Sequence, residues 1–280
     1  ASRSAPAPAP AAPPQHRRGP MACRAGTSSV LRLALGSATL AGSAAAGSSA
    51  AAGGELKLCQ GQFDMPGYGL VEIIPTGWAD EGFEPVDVTS SGELEAHMDA
   101  RAYFADECTP GKYDHKQYLA LNLLGKTMRY TVDLTGAGCG CNAAFYLTSM
   151  RQNTQPSECS DFYCDANNVC GESCAEIDIM EANQFAWHST LHTATDHSGV
   201  GGGFGGGDSW NGPRDWGSAE YGPGASCVDT AAPFDVAVSF PVDSQGALSA
   251  MEVTLSQTGK SCPLSVRLGS YEGMAELSSA

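Results

Sequence analysis

Residues 175–183 read AEIDIMEAN, and no other stretch restricts the fold so tightly. In a strand, successive side chains point to opposite faces. Ile177 and Ile179 then take one face, and Glu176 and Asp178 the other. Strict alternation would carry Glu181 inward beside the isoleucines, where an unpaired carboxylate is very costly. A β-bulge near Met180 shifts the phase by one residue. Glu176, Asp178 and Glu181 then share a face, and the isoleucines keep the core. The stretch therefore predicts a bulged strand with one apolar face and one acidic face.

The segments around it are of the same kind. In residues 126–134 (KTMRYTVDL) Met128, Tyr130 and Val132 fall on one face. Residues 142–150 are more apolar, as a central strand would be. Residues 234–241 and 248–255 alternate again, with Gly, Pro, Asn and Asp clustered between the segments. Short alternating strands at this spacing predict an all-β fold, a sandwich or barrel of antiparallel sheets. There is no internal repeat or heptad, and no convincing amphipathic helix longer than about three turns. No stretch after the leader holds ~20 uninterrupted apolar residues, so no membrane span is expected.

Charge narrows the partners. The chain carries 15 Lys+Arg against 31 Asp+Glu, a net −16. Five of the basic residues (Arg3, Arg17, Arg18, Arg24, Arg32) and no acidic one precede residue 55. That leaves ten basic against 31 acidic residues, a net −21, in the body. Such a body repels phosphate backbones and anionic lipid surfaces, so neither nucleic acid nor membrane is an expected partner.

Residues 1–54 form a Pro/Ala-rich leader. From Met21 it has the shape of a secretory signal: Arg24 and Arg32, a short apolar run over residues 30–40, then small residues. Cysteine usage agrees. Cys23 lies in the leader, and the other ten of the 11 cysteines lie in the body, which predicts up to about five disulfides. Zinc ligation by Cys139-x-Cys141 and Cys170-x3-Cys174 is the weaker reading, because no matching second pair follows.

Three readings of the acidic strand stay open on its residues alone: a solvated acidic face, a calcium site, or a catalytic pair. Two glutamates five positions apart on one face can lean their carboxyls to roughly 5–6 Å, the separation used by retaining glycosidases. Asp178 between them would orient a neighbour and raise one pKa by like-charge repulsion.

Several segments, in order, resemble the glycoside hydrolase family 7 cellulases. They are L-L-G-K and YTVDLTGAGCGCNAAFYLTSM (123–150), Tyr-Cys-Asp (163–165), EIDIMEAN (176–183), and YGPG (221–224) with Asp229-Thr230 and the strand after Pro233. The resemblance covers most of residues 120–245, and residues 55–119 only vaguely. It implies a concanavalin-like antiparallel β-sandwich, or jelly roll, with a concave glucan cleft. Its implied roles are Glu176 as nucleophile, Glu181 as acid/base and Asp178 as orienting carboxylate. It implies substrate-side positions for Asn142, Tyr146, Asp165, His192 and Arg214. Trp216 is the best-placed of four tryptophans for stacking on a sugar. No metal and no cofactor are expected.

The expectation is thus a secreted, monomeric, retaining β-1,4-glucanase. Residues 55–280 would be its catalytic domain, incomplete at the C-terminus relative to the family. The partner would be a β-glucan polysaccharide such as cellulose. Short segments at 167–170 and 198–207 replace longer family loops, which suggests an open cleft and internal cleavage. A non-catalytic glucan-binding protein and a β-1,3- or mixed-linkage glucanase are the alternatives. His188 and His197 have no family match and read as surface or loop residues.

Overall fold

Period-two burial runs through one group of strands and shows where the core lies. In Phe234–Ser239 the side chains alternate between buried and more exposed, and Leu264–Gly269 begins the same way. Each strand keeps one face on the interior and one toward water. The computed structural model describes residues 29–31, 59–76, 86–196, 203–205, 209–210 and 215–280. Arg214 and His197 fall outside the described residues.

Two antiparallel sheets form the frame. The first runs Leu264–Gly269, Ala250–Ser256, Phe234–Ser239, Thr127–Val132 in that order. The second runs Ser209–Trp210, Phe204–Gly205, Trp187–His192, Glu176–Ala182, Ala143–Thr148. Their inner faces share one hydrophobic core. It takes Tyr130, Val132, Val236, Val238, Val253 and Leu255 from the first sheet and Ile177, Ile179, Trp187 and Leu191 from the second. Aromatic rings close the gap: Tyr130 meets Phe145 at 5.1 Å and Trp187 meets Phe234 at 6.1 Å between centroids. This is a β-sandwich. A third sheet of Gln62–Met65, Gly69–Pro75 and Ala102–Ala105 packs Phe63 and Phe104 onto the same core. The one α-helix among the described residues is Met274–Ser279, and none of those residues forms a helix able to cross a membrane.

The apolar segment at 142–150 was expected to be a central strand. It forms Ala143–Thr148, which lies at the edge of its sheet. Its apolarity has another cause: Phe145 packs inward on Tyr130 and Phe104. Beside it, an apolar cavity of about 600 Å³ opens between Phe104, Leu119, Phe145, Leu147, Ile177 and Leu277.

Four disulfides join pairs of described residues: Cys59–Cys108, Cys159–Cys170, Cys164–Cys174 and Cys227–Cys262. Cys141 is also disulfide-bonded, whereas Cys139 is free and exposed. Five pairs among the ten body cysteines are therefore not formed. Two of the bridges staple residues 159–174, the segment leading into the acidic strand.

Trp187 is the largest fully buried side chain, in contact with Trp216, Tyr221 and Phe234. Its Nε1 donates to Ser189 Oγ at 2.9 Å. Trp187→Ala is expected to lower unfolding stability by about 3–5 kcal/mol. Urea unfolding monitored by near-UV circular dichroism checks this.

Candidate active site

The bulge lies where the alternation required it. Along Ala143–Thr148, Phe145 pairs with Met180 and Tyr146 pairs with Asp178, so Ile179 is passed over. Along Trp187–His192, His188 pairs with Glu181 and Thr190 with Asp178. Ile179 and Met180 together stand opposite Ser189 alone, and both are buried in the core. Ser189 Oγ donates to the Ile179 carbonyl at 2.8 Å, which satisfies a backbone acceptor at the irregularity. Glu176 and Asp178 are each 7% exposed, and Glu181 is half-buried.

Each carboxylate has its own anchor. Glu176 Oε2 accepts from the backbone N–H of Ala166 at 3.0 Å. Asp178 Oδ2 stands 3.1 Å from His192 Nε2. Glu181 Oε1 accepts from Asn142 Nδ2 at 3.0 Å. Burial first, and then the charge of Asp178, push Glu176 up to about 8 against the pull of the Ala166 N–H. Burial and Asp178 raise Glu181 as well, while Asn142 and His192 oppose the rise. Burial alone would lower His192. Its hydrogen bond to Asp178, with the charges of Asp178 and Glu176, outweighs burial and raises it.

The sequence-derived residues converge from separate segments. Asp165 is buried, its Oδ1 accepts from Val169 N–H at 3.0 Å, and its charge acts on Glu176. The Cys164–Cys174 bridge and the bridge pairing of Asp165 with Ser173 fix it there. Tyr146 lies across from Asp178, and its hydroxyl is 3.2 Å from that of Tyr163. Trp216 behaves differently. It packs on Trp187 and Tyr221 against the core, and none of its ring contacts is with the acidic group.

Two further residues were not singled out for the site. Arg101 Nη2 donates to Tyr146 OH at 3.1 Å, and its Cζ sits 4.6 Å from the Tyr163 ring centroid. A lone arginine in the weakly matching region 55–119 carries no local signal. His188 is not on a loop: it is a half-buried strand residue opposite Glu181. Among the described residues no group of three or more His, Cys, Asp or Glu is arranged to hold a metal ion.

No protein-family model matches the chain. The chain is similar to endoglucanases. It is 31% identical over 207 residues to the endo-β-1,4-glucanase celB of Emericella nidulans, covering 57% of this chain and 47% of that protein. It is 31% identical over 198 residues to endoglucanase 1 of Pyricularia oryzae, covering 57% and 43%. The chain thus spans somewhat less than half the length of the curated relatives it matches. A solved structure of the Humicola insolens endocellulase shares 22% identity at a TM-score of 0.43, covering 72% of this chain and 52% of that one. A family 7 cellobiohydrolase from Daphnia pulex shares 20% at a TM-score of 0.42, covering 64% and 52%. The endoglucanase relatives bear out the cellulase resemblance read from the motifs.

Two expectations follow from the geometry. Glu176 binds its proton more tightly folded than unfolded, so its contribution to stability is complete below about pH 4.5 and is lost as pH rises through about 8. Thermal melts from pH 4.5 to 8 should fall from this group, and Glu176→Gln should flatten that slope and raise Tm at the alkaline end. Gly203 presses on His192. With φ at 111°, an added Cβ would stand 2.1 Å from His192 Cε1. Gly203→Ala should displace His192 and lower its pKa toward that of an unpaired histidine, as read by NMR titration.

Proposed function

We propose that the protein is a retaining endo-β-1,4-glucanase that cleaves internal bonds of a β-glucan chain by double displacement. The observation that carries this reading is the bulged strand itself, which sets Glu176, Asp178 and Glu181 on one face while the isoleucines stay in the core. Glu176 attacks the anomeric carbon as a carboxylate, and Glu181 gives its proton to the departing glycosidic oxygen. Water then enters with Glu181 as base, and the glycosyl–Glu176 bond breaks.

Glu176 must be ionised to attack, although burial and Asp178 raise its pKa. The positive charge that grows at the anomeric carbon favours the Glu176 anion in the transition state. The Ala166 N–H and the Asp178–His192 contact stay in place to orient it. Asn142, Tyr146, Asp165 and His192 would contact the sugars around the scissile bond. Arg214 is proposed on its motif position alone. Arg101 joins them through Tyr146. Trp216 supports the wall from the core side. The names of the two curated relatives, an endo-β-1,4-glucanase and an endoglucanase, favour a cellulose-type substrate.

We read residues 55–280 as the catalytic region and the molecule as a secreted monomer. The disulfides Cys159–Cys170 and Cys164–Cys174, which hold the lead-in to the site, support an oxidising compartment.

Glu176→Gln should nearly abolish hydrolysis of every substrate, because no covalent intermediate forms. Glu181→Gln should lower kcat/KM about 10²–10⁴-fold on alkyl cellooligosides and little on dinitrophenyl cellobioside, whose leaving group needs no proton, while kcat on the latter falls because the base of the second step is gone. Azide should rescue the Glu181 variant as a β-configured glycosyl azide, identified by proton NMR. An α-configured product, or equal losses on both substrates, would show that the roles are assigned wrongly.

A further inference from the structure

His188 stands directly across from Glu181 in the strand register. Cross-strand neighbours share a face, with Cβ atoms roughly 4.5–5.5 Å apart. Glu181 thus accepts from the amide of Asn142, which immediately precedes one neighbouring strand, and stands opposite His188 on the other. The His188 side chain is 16% exposed. Neither ring nitrogen has a hydrogen-bond partner among the described residues.

Asp215 reaches the same place from the chain before Tyr221. Its side chain is wholly buried. Its Oδ2 accepts from Ser189 N–H at 3.0 Å, and its own N–H donates to the Trp187 carbonyl at 2.9 Å. It is thus docked on the edge of the Trp187–His192 strand. Its Oδ1 is without a partner among the described residues and lies 3.9 Å from His188 Nδ1. Two unsatisfied buried groups are costly to leave apart, and a small rotation would join these two. Gly205 closes the far side, where an added Cβ would stand 3.2 Å from His188 Nε2.

The titratable groups around the ring are Asp178 and His192, whose charges act on it, Glu181 opposite it in the strand register, and Asp215 at 3.9 Å. Burial holds His188 below its ordinary value despite Asp178. Burial also pushes Asp215 up to about 7 against the Ser189 N–H. Burial thus favours the uncharged form of each group, a proton on Asp215 and a neutral His188 ring.

We propose that His188, backed by Asp215, is a positioning residue for Glu181: as Glu181 yields its proton to the leaving oxygen, the proton of Asp215 moves to His188 Nδ1. This deepens the reading of Glu181 as the acid and rests on it. One O–H bond breaks and one N–H bond forms, with no further reactant. Separating charge in a dry site is unfavourable until Glu181 becomes an anion, and it then places an imidazolium beside that anion. The response disappears at the pH where Asp215 loses its proton to solvent.

Asp215→Asn keeps an oxygen for the Ser189 N–H and removes the transferable proton. His188→Gln keeps a polar side chain. Each should lower kcat/KM on alkyl cellooligosides about tenfold, below the roughly 10²–10⁴-fold of the acid itself, and change kcat/KM on dinitrophenyl cellobioside less than about twofold. The double variant should be no slower than either single one. Equal losses on both substrates, or no loss on either, overturn the proposal. If the wild-type protein hydrolyses neither substrate, the glucanase reading fails and the pair is judged by histidine-selective NMR. The His188 ring signals should then follow a step near pH 7 that vanishes in Asp215→Asn. Identical titrations in both proteins overturn it.

Discussion

An ionised carboxylate among isoleucines is one of the most expensive things a core can contain. The Glu176–Ala182 strand must carry Glu176, Asp178 and Glu181 past Ile177 and Ile179 without paying that penalty. The double residue Ile179–Met180 opposite Ser189 is the solution. It holds the apolar side chains on the sandwich and turns Glu181 back to the acidic face. Ser189 at the same point ties together the bulge carbonyl, the Trp187 indole and the Asp215 carboxylate. Core packing and site geometry therefore meet at one position, and neither can shift without the other.

The acidic face is held from two sides by different means. At the Glu176 end the supports are backbone and disulfide. The Cys159–Cys170 and Cys164–Cys174 bridges close loops around Asp165 and the Ala166 N–H, so little conformational freedom remains to be lost there. At the Glu181 end the supports are side chains from the flanking strands. Asn142 donates from one side, and His188 with Asp215 stands on the other. A fixed dipole suits a group that keeps one role. Titratable neighbours suit the exchange of a proton that we propose for Glu181.

Burial dominates the electrostatics. Glu176, Glu181 and Asp215 are all raised chiefly by loss of water, with the mutual repulsion of the carboxylates second for the two glutamates. His192 is the counterweight: burial lowers it, but its hydrogen bond to Asp178 and the charges of Asp178 and Glu176 raise it overall. The stability lost by assembling so many carboxylates on one face is offset elsewhere, by the aromatic packing of Trp187, Tyr221 and Phe234 in the core.

Much of this was legible in the order of residues. Alternation of Ile with Glu and Asp set the strand, the cost of burying Glu181 demanded the bulge, and period two in residues 126–134 and 234–241 set the inner faces. These are local arguments, decided by the backbone period and the price of burial. What stands beside what was not local. Residues 142–150 became an edge strand because Phe145 found Phe104 and Tyr130. Cys139 stayed free although a count of body cysteines would pair it, because parity says nothing of distance. Arg101 reached Tyr146 from a region with no recognisable motif. His188, unremarkable in sequence, became the neighbour of Glu181 only through the register of two strands, and Asp215 became its partner only because the loop before Tyr221 folds onto that strand's edge. Sequence period determines which face a side chain takes, and tertiary packing alone decides which faces meet.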